Sequence, residues 1–435
     1  MSLTRRHFLS ATALTTATVA ASFPAPVVFG AEKEKKYRVA LVGTGGMGNN
    51  NLNAAISTKT VETVALVDVD QKRRESAFEM VKKKTGEEPK LFNDHQEMLE
   101  TVKPDIVIVA TPEHWHPLIA IDACKAGAHV YLEKPISHTV NEGIAMVKIA
   151  QETKRTVQVG THRRCSASGI AAKKYIKEGN IGQIGMARAF VHYTAWGGKD
   201  KPTPDAPTPE GLDWDRWCGP APLVPFNPKI HPGGFRQFLN YGTGQLGDWG
   251  THWMDMILWI MDDQEQFPSS VTSTGGRFIW RDNTDAPDTQ SVLYKFEKYM
   301  VEWEHRCYAG NAPEKEHIGV YFYGTKGTVH IGDGTWCVFK NQNKDATPET
   351  PETPSNEGNL QVSWRNFIAC IENGQKPICD IEYGHRATTM TLLGMVSLKL
   401  GRSIKWNGEK QTIPNDPDAV KLLAREYRNP WKYPQ

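Results

Sequence analysis

The chain has no cysteine pattern. Cys124, Cys165, Cys218, Cys307, Cys337, Cys370 and Cys379 are odd in number and scattered, with no C-x-x-C among them. That argues against a dense disulfide scaffold and offers no zinc-ligand spacing, so no metal site is expected. Charge of one sign is missing too: 51 Lys and Arg face 49 Asp and Glu, for a formal net charge of +2, and no basic block stands out. No nucleic-acid partner is indicated. Internal repeats are absent. What is present, 435 residues with 39% hydrophobic and 23% charged, suits two or three soluble globular domains.

The N-terminal segment stands apart. Thr4-Arg5-Arg6-His7-Phe8-Leu9 precedes a mildly apolar, threonine-rich run through Phe23. It resembles a twin-arginine export signal. The run is too short and polar for a lasting transmembrane helix, so no stable membrane insertion is expected. Cleavage is expected near Gly30 or Ala31, giving a signal peptide over 1–31 and a periplasmic or extracytoplasmic protein exported already folded. Unpaired thiols buried before export fit that route.

Val39-Ala40-Leu41-Val42 reads as a buried strand, and Gly43-Thr44-Gly45-Gly46-Met47-Gly48 follows with glycines at G-x-G-x-x-G spacing. The first glycine permits a tight turn, the second close approach of a pyrophosphate, and the third close packing of the next helix. The helix N-terminus then presents free N–H groups to phosphates. A second strand over 61–68 ends in Asp68, twenty residues beyond Gly48. An acid there accepts from adenosine ribose hydroxyls and repels a 2′-phosphate, which favours NAD over NADP. Lys72, Arg73 and Arg74 lie close by and weaken that preference. Strands ending at Ala110-Thr111-Pro112, at Glu133-Lys134-Pro135 and at Gly160 alternate with helices, the βαβ signature of a parallel sheet whose ligands sit at the C-terminal strand ends.

These motifs, with a later Gly244-Gln245-Leu246-Gly247-Asp248-Trp249-Gly250-Thr251-His252, resemble the Gfo/Idh/MocA oxidoreductases, the family of glucose–fructose oxidoreductase and inositol dehydrogenase. The likeness runs from about residue 36 to near the C-terminus. Beyond the signal peptide expected over 1–31, it implies an α/β chain: an N-terminal NAD-binding Rossmann domain with a doubly wound parallel sheet over 36–160, and a C-terminal α+β domain over 161–435. That second domain is expected to hold a large, open, mostly antiparallel sheet, from strands near 185–193, 270–279, 291–296, 300–307, 319–324 and 328–331. The family uses one face of this sheet for subunit contacts, which implies a homodimer or homotetramer. A Pro-, Gly- and Trp-rich insertion over 196–239 has the length of a lid or binding loop, and its tryptophans either stack on sugar faces or pack the loop. Residues 341–358 read as a loop.

In the family the Glu-Lys-Pro motif supplies an active-site lysine and the Asp-x-x-x-His pair an acid–base group, which carries over to Lys134, Asp248 and His252. Four residues apart on a helix, Asp248 and His252 share a face. His252 is then the base for a hydroxyl proton, Asp248 holds or polarises it, and Lys134 stabilises negative charge on the substrate oxygen. Asp255 is read as an i, i+3 contact of His252 or a structural cap. The cofactor site comprises Gly43, Thr44, Gly45, Gly46, Met47, Gly48, Asp68, Thr111, Pro112, His116, Glu133 and Lys134, with His114 and Trp115 beside His116 on the nicotinamide side. The substrate pocket comprises His162, Arg163, Tyr193, Arg236, Asp248 and His252. The expected substrate is a small carbohydrate, oxidised at a secondary hydroxyl of a sugar, glycoside or polyol on a tightly retained NAD. Alternatives are a redox-neutral NAD-dependent glycosidase of the same fold and a non-catalytic sugar- or cofactor-sensing protein.

Overall fold

In the computed structural model the described residues are 36–193, 198, 201–261, 267–310, 316–340, 349–351, 353 and 358–434. The twin-arginine segment lies outside them, as do most of 341–358 and part of the insertion. Six strands, β1 (Tyr37–Val42), β2 (Val61–Val67), β3 (Lys90–Phe92), β4 (Ile106–Val109), β5 (His129–Leu132) and β6 (Val157–Val159), form a sheet in the order β3-β2-β1-β4-β5-β6. Every pairing is parallel. The helices α1 (Gly46–Ser57), α2 (Gln71–Thr85), α3 (His95–Val102), α4 (His116–Lys125) and α5 (Val140–Thr153) connect them.

Period-two geometry explains why these strands read as unbroken apolar runs. Ala40, Val42, Val107 and Val109 pack into the core on one face of the sheet. Val39, Leu41, Ile106 and Ile108 pack into the core on the other. Both faces are covered, so no polar position is needed. The strand order reverses between β1 and β4, which opens a crevice at their carboxyl ends.

Beyond α6 (Ala167–Lys177) lie β7 (Ile184–Val191), α7 (Trp214–Cys218), α8 (Gly244–Asp248), α9 (Gly250–Ile260), β8 (Ser270–Gly276), β9 (Thr289–Lys295), β10 (Met300–Arg306), β11 (Ile318–Gly324), β12 (Gly327–Ile331) and β13 (Trp336–Lys340). The helices α10 (Asn359–Asn373) and α11 (Ile381–Leu400) and the short β14 (Ile404–Lys405) follow. The eight strands run in the order β13-β12-β11-β7-β10-β9-β8-β14. All neighbours are antiparallel except β7 and β10. The chain leaves the sheet after β7, passes through the insertion and the helices α8 and α9, re-enters as β8 near the far edge, and works back through β9 to β10, which lies parallel to β7.

Two strands escape the sequence pattern, β13 at one edge and the two-residue β14 at the other. The strand expected over 270–279 stops at Gly276 because the Asp288 carboxylate takes the N–H groups of Phe278, Ile279 and Trp280 at 2.8–3.2 Å. Those amides are thereby removed from the ladder. Both sheets belong to one compact unit, Lys36–Gln435. Among the described residues no helix is long and apolar enough to cross a membrane.

The described part of the insertion folds onto the Rossmann half. Leu212 bridges to Asp70, Gln71 N–H donates to the Gly211 carbonyl, and Asp213 N–H to that of Val69, both near 3 Å. Trp214 and Trp217 stack with ring centres 4.5 Å apart inside a small core of the insertion's own.

Candidate active site

The glycine turn is built as a cradle. Gly43 has φ +92°, and a Cβ there would lie 2.6 Å from the Ala110 backbone. A Cβ on Gly48 would lie 2.0 Å from the Gly43 carbonyl oxygen, so this glycine lets α1 close against β1. Gly45 caps α1 without any side-chain hydrogen bond, and a Cβ on Gly46 would meet nothing within 4 Å. The first-turn amides of α1 therefore have no side-chain cap, with open space before them, which fits a dinucleotide phosphate. Asp68 sits beside the turn. Its Oδ2 accepts from Thr44 N–H at 2.8 Å and Thr44 Oγ1 at 3.0 Å, and its Oδ1 from Asp70 N–H at 2.9 Å. Asp68 thus ties the loop after β2 to the glycine turn.

A cleft of about 1060 Å³ opens at this turn. It is lined by Gly43, Gly45, Gly46, Met47 and Asp68, and by Thr111, Pro112, His116, Glu133 and Lys134 at the strand ends of the Rossmann half. His162, Arg236, Asp248 and His252 line it as well. Thr44 and Gly48 stand behind the lining, Thr44 as donor to Asp68 and Gly48 as the packing glycine.

Lys134, just after β5, is held by two bonds from its Nζ: 2.6 Å to Asp248 Oδ1 and 2.8 Å to the Asp248 carbonyl. An ammonium has three donors, so one N–H is left for a substrate oxygen. Arg236 approaches the other Asp248 oxygen at 3.4 Å. Burial opposes ionisation of Asp248, but Lys134 and Arg236 more than offset it and hold the carboxyl below its usual range. The expectation that Asp248 holds His252 is not what the geometry gives. Asp248 ends α8 and His252 lies in α9, with Trp249 between them, and the Asp248 carboxylate is committed to the two cations.

His252 Nδ1 is buried and has no hydrogen-bond partner among the described residues. The His252 ring packs edge-on against His162 at 5.4 Å and near Trp249 at 5.7 Å. Burial first, then the charges of Lys134 and Arg163, push its pKa well below the ordinary histidine value, so it rests neutral. His162 Nδ1–H donates to the Gly160 carbonyl, 3.0 Å away, and burial pushes the ring's pKa down to about 4. His116 is wedged between the Pro135 and Thr111 carbonyls at 2.8 Å each.

Three expected groups point elsewhere. Arg163 does not line the cleft: it pairs with Asp333 at 2.9 Å and lies over the rings of Trp249 and Trp253. Tyr193 is also absent from the lining and packs against Trp249 and His317. His114 is buried between the Trp217 and Tyr241 carbonyls. Asp255 contacts Arg164, not His252, through two bonds of 2.8 Å between fully buried side chains. That pair fastens the turn bearing His162 to α9. Asp255→Ala removes the carboxylate from a buried guanidinium and is expected to cost about 3–5 kcal/mol of stability, read as a lowered urea midpoint.

Sequence reasoning missed part of the lining. Glu113 lies between the Pro112 stop and α4. His231 comes from the insertion, beside Trp217, one of the tryptophans the sequence did mark, and Trp431 and Tyr433 come from the C-terminal tail. Trp431 packs edge-on to Trp115 at 5.7 Å. The only signal for Glu113 was its place at a strand end; nothing local marked the tail. Among the described residues no group of three or more His, Cys, Asp or Glu is placed to hold a metal ion.

Residues 37–161 match the family model "Oxidoreductase family, NAD-binding Rossmann fold" and residues 167–433 its companion "Oxidoreductase family, C-terminal alpha/beta domain". A glycosyl hydrolase family 109 protein of Akkermansia muciniphila is 28% identical over 169 residues, 38% of this chain and 35% of that protein. Inositol 2-dehydrogenase of Salmonella paratyphi B is 29% identical over 171 residues, 39% of this chain and 49% of that enzyme. The chain thus spans about a third to a half of the length of these curated relatives. Levoglucosan dehydrogenase, solved with NADH, shares the fold with a TM-score of 0.67 at 20% identity, over 85% of this chain and 99% of that one.

Proposed function

The chain belongs to the Gfo/Idh/MocA oxidoreductase family, with an NAD-binding Rossmann domain, and from that premise we propose that it oxidises a secondary hydroxyl of a sugar, glycoside or polyol. The observation that carries this reading is Lys134, fixed by Asp248 with one N–H to spare, in the same cleft as the glycine cradle. Bound at the cradle, NAD supplies the hydride acceptor. Lys134 holds the substrate oxygen and stabilises charge developing on it. Neutral His252, with Nδ1 unpaired, receives the hydroxyl proton. His162 and Arg236 bound the substrate. Arg163 and Tyr193 pack against Trp249 and are not assigned a substrate contact.

The twin-arginine motif supports export, and with it a cofactor that stays bound, since no free NAD pool lies outside the cytoplasm. The outer face of the large sheet carries exposed Leu293, Met300, Tyr323 and Phe339, which supports its use between subunits of a homo-oligomer. The glycosyl hydrolase family 109 relative favours a second reading, transient oxidation with loss of a glycosidic leaving group and return of the hydride. A panel of chromogenic glycosides separates the two. Aglycone release with no net change in nicotinamide absorbance selects the glycosidase; accumulation of reduced nicotinamide without release selects the dehydrogenase.

A further inference from the structure

Oxidising a hydroxyl breaks a C–H and an O–H bond. The C–H electron pair leaves with the hydride, the O–H pair becomes the second bond of the carbonyl, and one proton must go elsewhere. Lys134 already bears three protons. Asp248 is committed to Lys134 and Arg236. His252 accepts a proton at a cost, since burial and two nearby cations disfavour its imidazolium. The site therefore needs a place for the proton to rest.

We propose that Glu113 is that place: a carboxylate in the cleft wall that receives the substrate proton, directly or through His252 and water, and gives it back. The assignment rests on the hydroxyl-oxidation reading above. Glu113 is buried at the carboxyl end of β4, at the strand-order reversal, and lines the cleft beside Lys134 and Asp248. Its Oε2 accepts from Thr243 Oγ1 at 2.6 Å. Gly247 leaves room for that hydroxyl, since a Cβ there would come within 1.6 Å of it. The carboxyl is thus aimed by the residue that precedes α8, the helix bearing Asp248. No cation forms an ion pair with it among the described residues, unlike Asp248 and unlike buried Glu142, which Arg425 pairs at 2.8 Å.

The charged groups facing it are Asp248 from α8 and Lys134 from the loop after β5, whose effects oppose each other; Arg236 binds the far oxygen of Asp248. Burial dominates and raises Glu113 to about 7. A carboxyl so placed exchanges its proton near neutrality, the range where proton transfer is most effective. The ionised form is the acceptor, so oxidation should quicken as pH rises through about 7 and then level off.

Glu113→Gln keeps an oxygen for the Thr243 hydroxyl and removes the ionisation, so the fold should survive. Two measurements on the full chain test the assignment. Infrared difference spectra between about pH 5 and 9 should show a protonated-carboxyl band that titrates near 7 in the parent and is missing from E113Q. Single-turnover hydride transfer should fall about 10²-fold in E113Q and lose its inflection near pH 7, with Glu113→Asp restoring part of both. A parent spectrum without that titrating band overturns the assignment whatever the substrate is. So does an E113Q enzyme that keeps the parental rate and pH inflection. If the band titrates as expected but no sugar or polyol reduces the bound nicotinamide, the hydroxyl-oxidation reading fails, and Glu113's assignment as its proton acceptor fails with it.

Discussion

Lys134→Met is expected to slow hydride transfer by about a hundred- to a thousandfold while the protein keeps its nucleotide. Methionine preserves the length and apolar stem but removes every donor. The cost is the charge stabilisation of one well-placed donor in a site shielded from water. It also leaves Asp248 with Arg236 as its one ion-pair partner among the described residues, where now Nζ sits 2.6 Å from the carboxylate. Single-turnover absorbance in the nicotinamide band measures the rate, and the nucleotide released on denaturation counts occupancy. Loss of rate with occupancy intact places Lys134 in the chemistry. Loss of both places it in cofactor binding, and an unchanged rate removes it from the site.

Gly48→Ala should have the opposite signature, with nucleotide lost first. Its Cβ would press into the Gly43 carbonyl oxygen at 2.0 Å, a backbone atom with no freedom to swing away. To make room α1 must lift from β1, carrying its N-terminal amides out of line with a phosphate. Overpacking of this kind costs about 1–3 kcal/mol of stability. The dissociation constant for NAD, by titration calorimetry, should rise by at least about tenfold. Gly46→Ala is the control for packing, because a Cβ there meets nothing within 4 Å. That variant should keep its stability, so any weakening of NAD binding in it reports contact with the ligand itself.

The Rossmann half was legible because its signals are local. Apolar runs of strand length, a turn that only glycine fits, and an acid after the second strand all lie within a few residues of one another. Six of the second domain's eight strands were legible one by one, but not their pairing, since the parallel contact of β7 with β10 joins segments separated by the insertion, the helices α8 and α9 and the strands β8 and β9. Partners within the site were the least legible. The interval of four between Asp248 and His252 suggested a mutual contact, yet the partner of Asp248 is a lysine 114 residues away. His162 and Arg163 are sequence neighbours on one tight turn, so one ring faces the cleft and the next side chain reaches Asp333. Glu113 carries no periodic signal of burial, being one charged residue after a proline. Its environment is made by Thr243 and Asp248, which the fold brings to it.

The most direct test of the account adds no cofactor. The purified full chain, extensively dialysed, is mixed with a panel of polyols, free sugars and glycosides while absorbance is followed in the reduced-nicotinamide band. The account predicts that at least one compound produces the band, to no more than one equivalent per chain, and that Lys134→Met loaded with the same nucleotide does not. A nucleotide-containing protein whose absorbance stays flat with every compound, or a protein that comes through dialysis with no nucleotide, would contradict it.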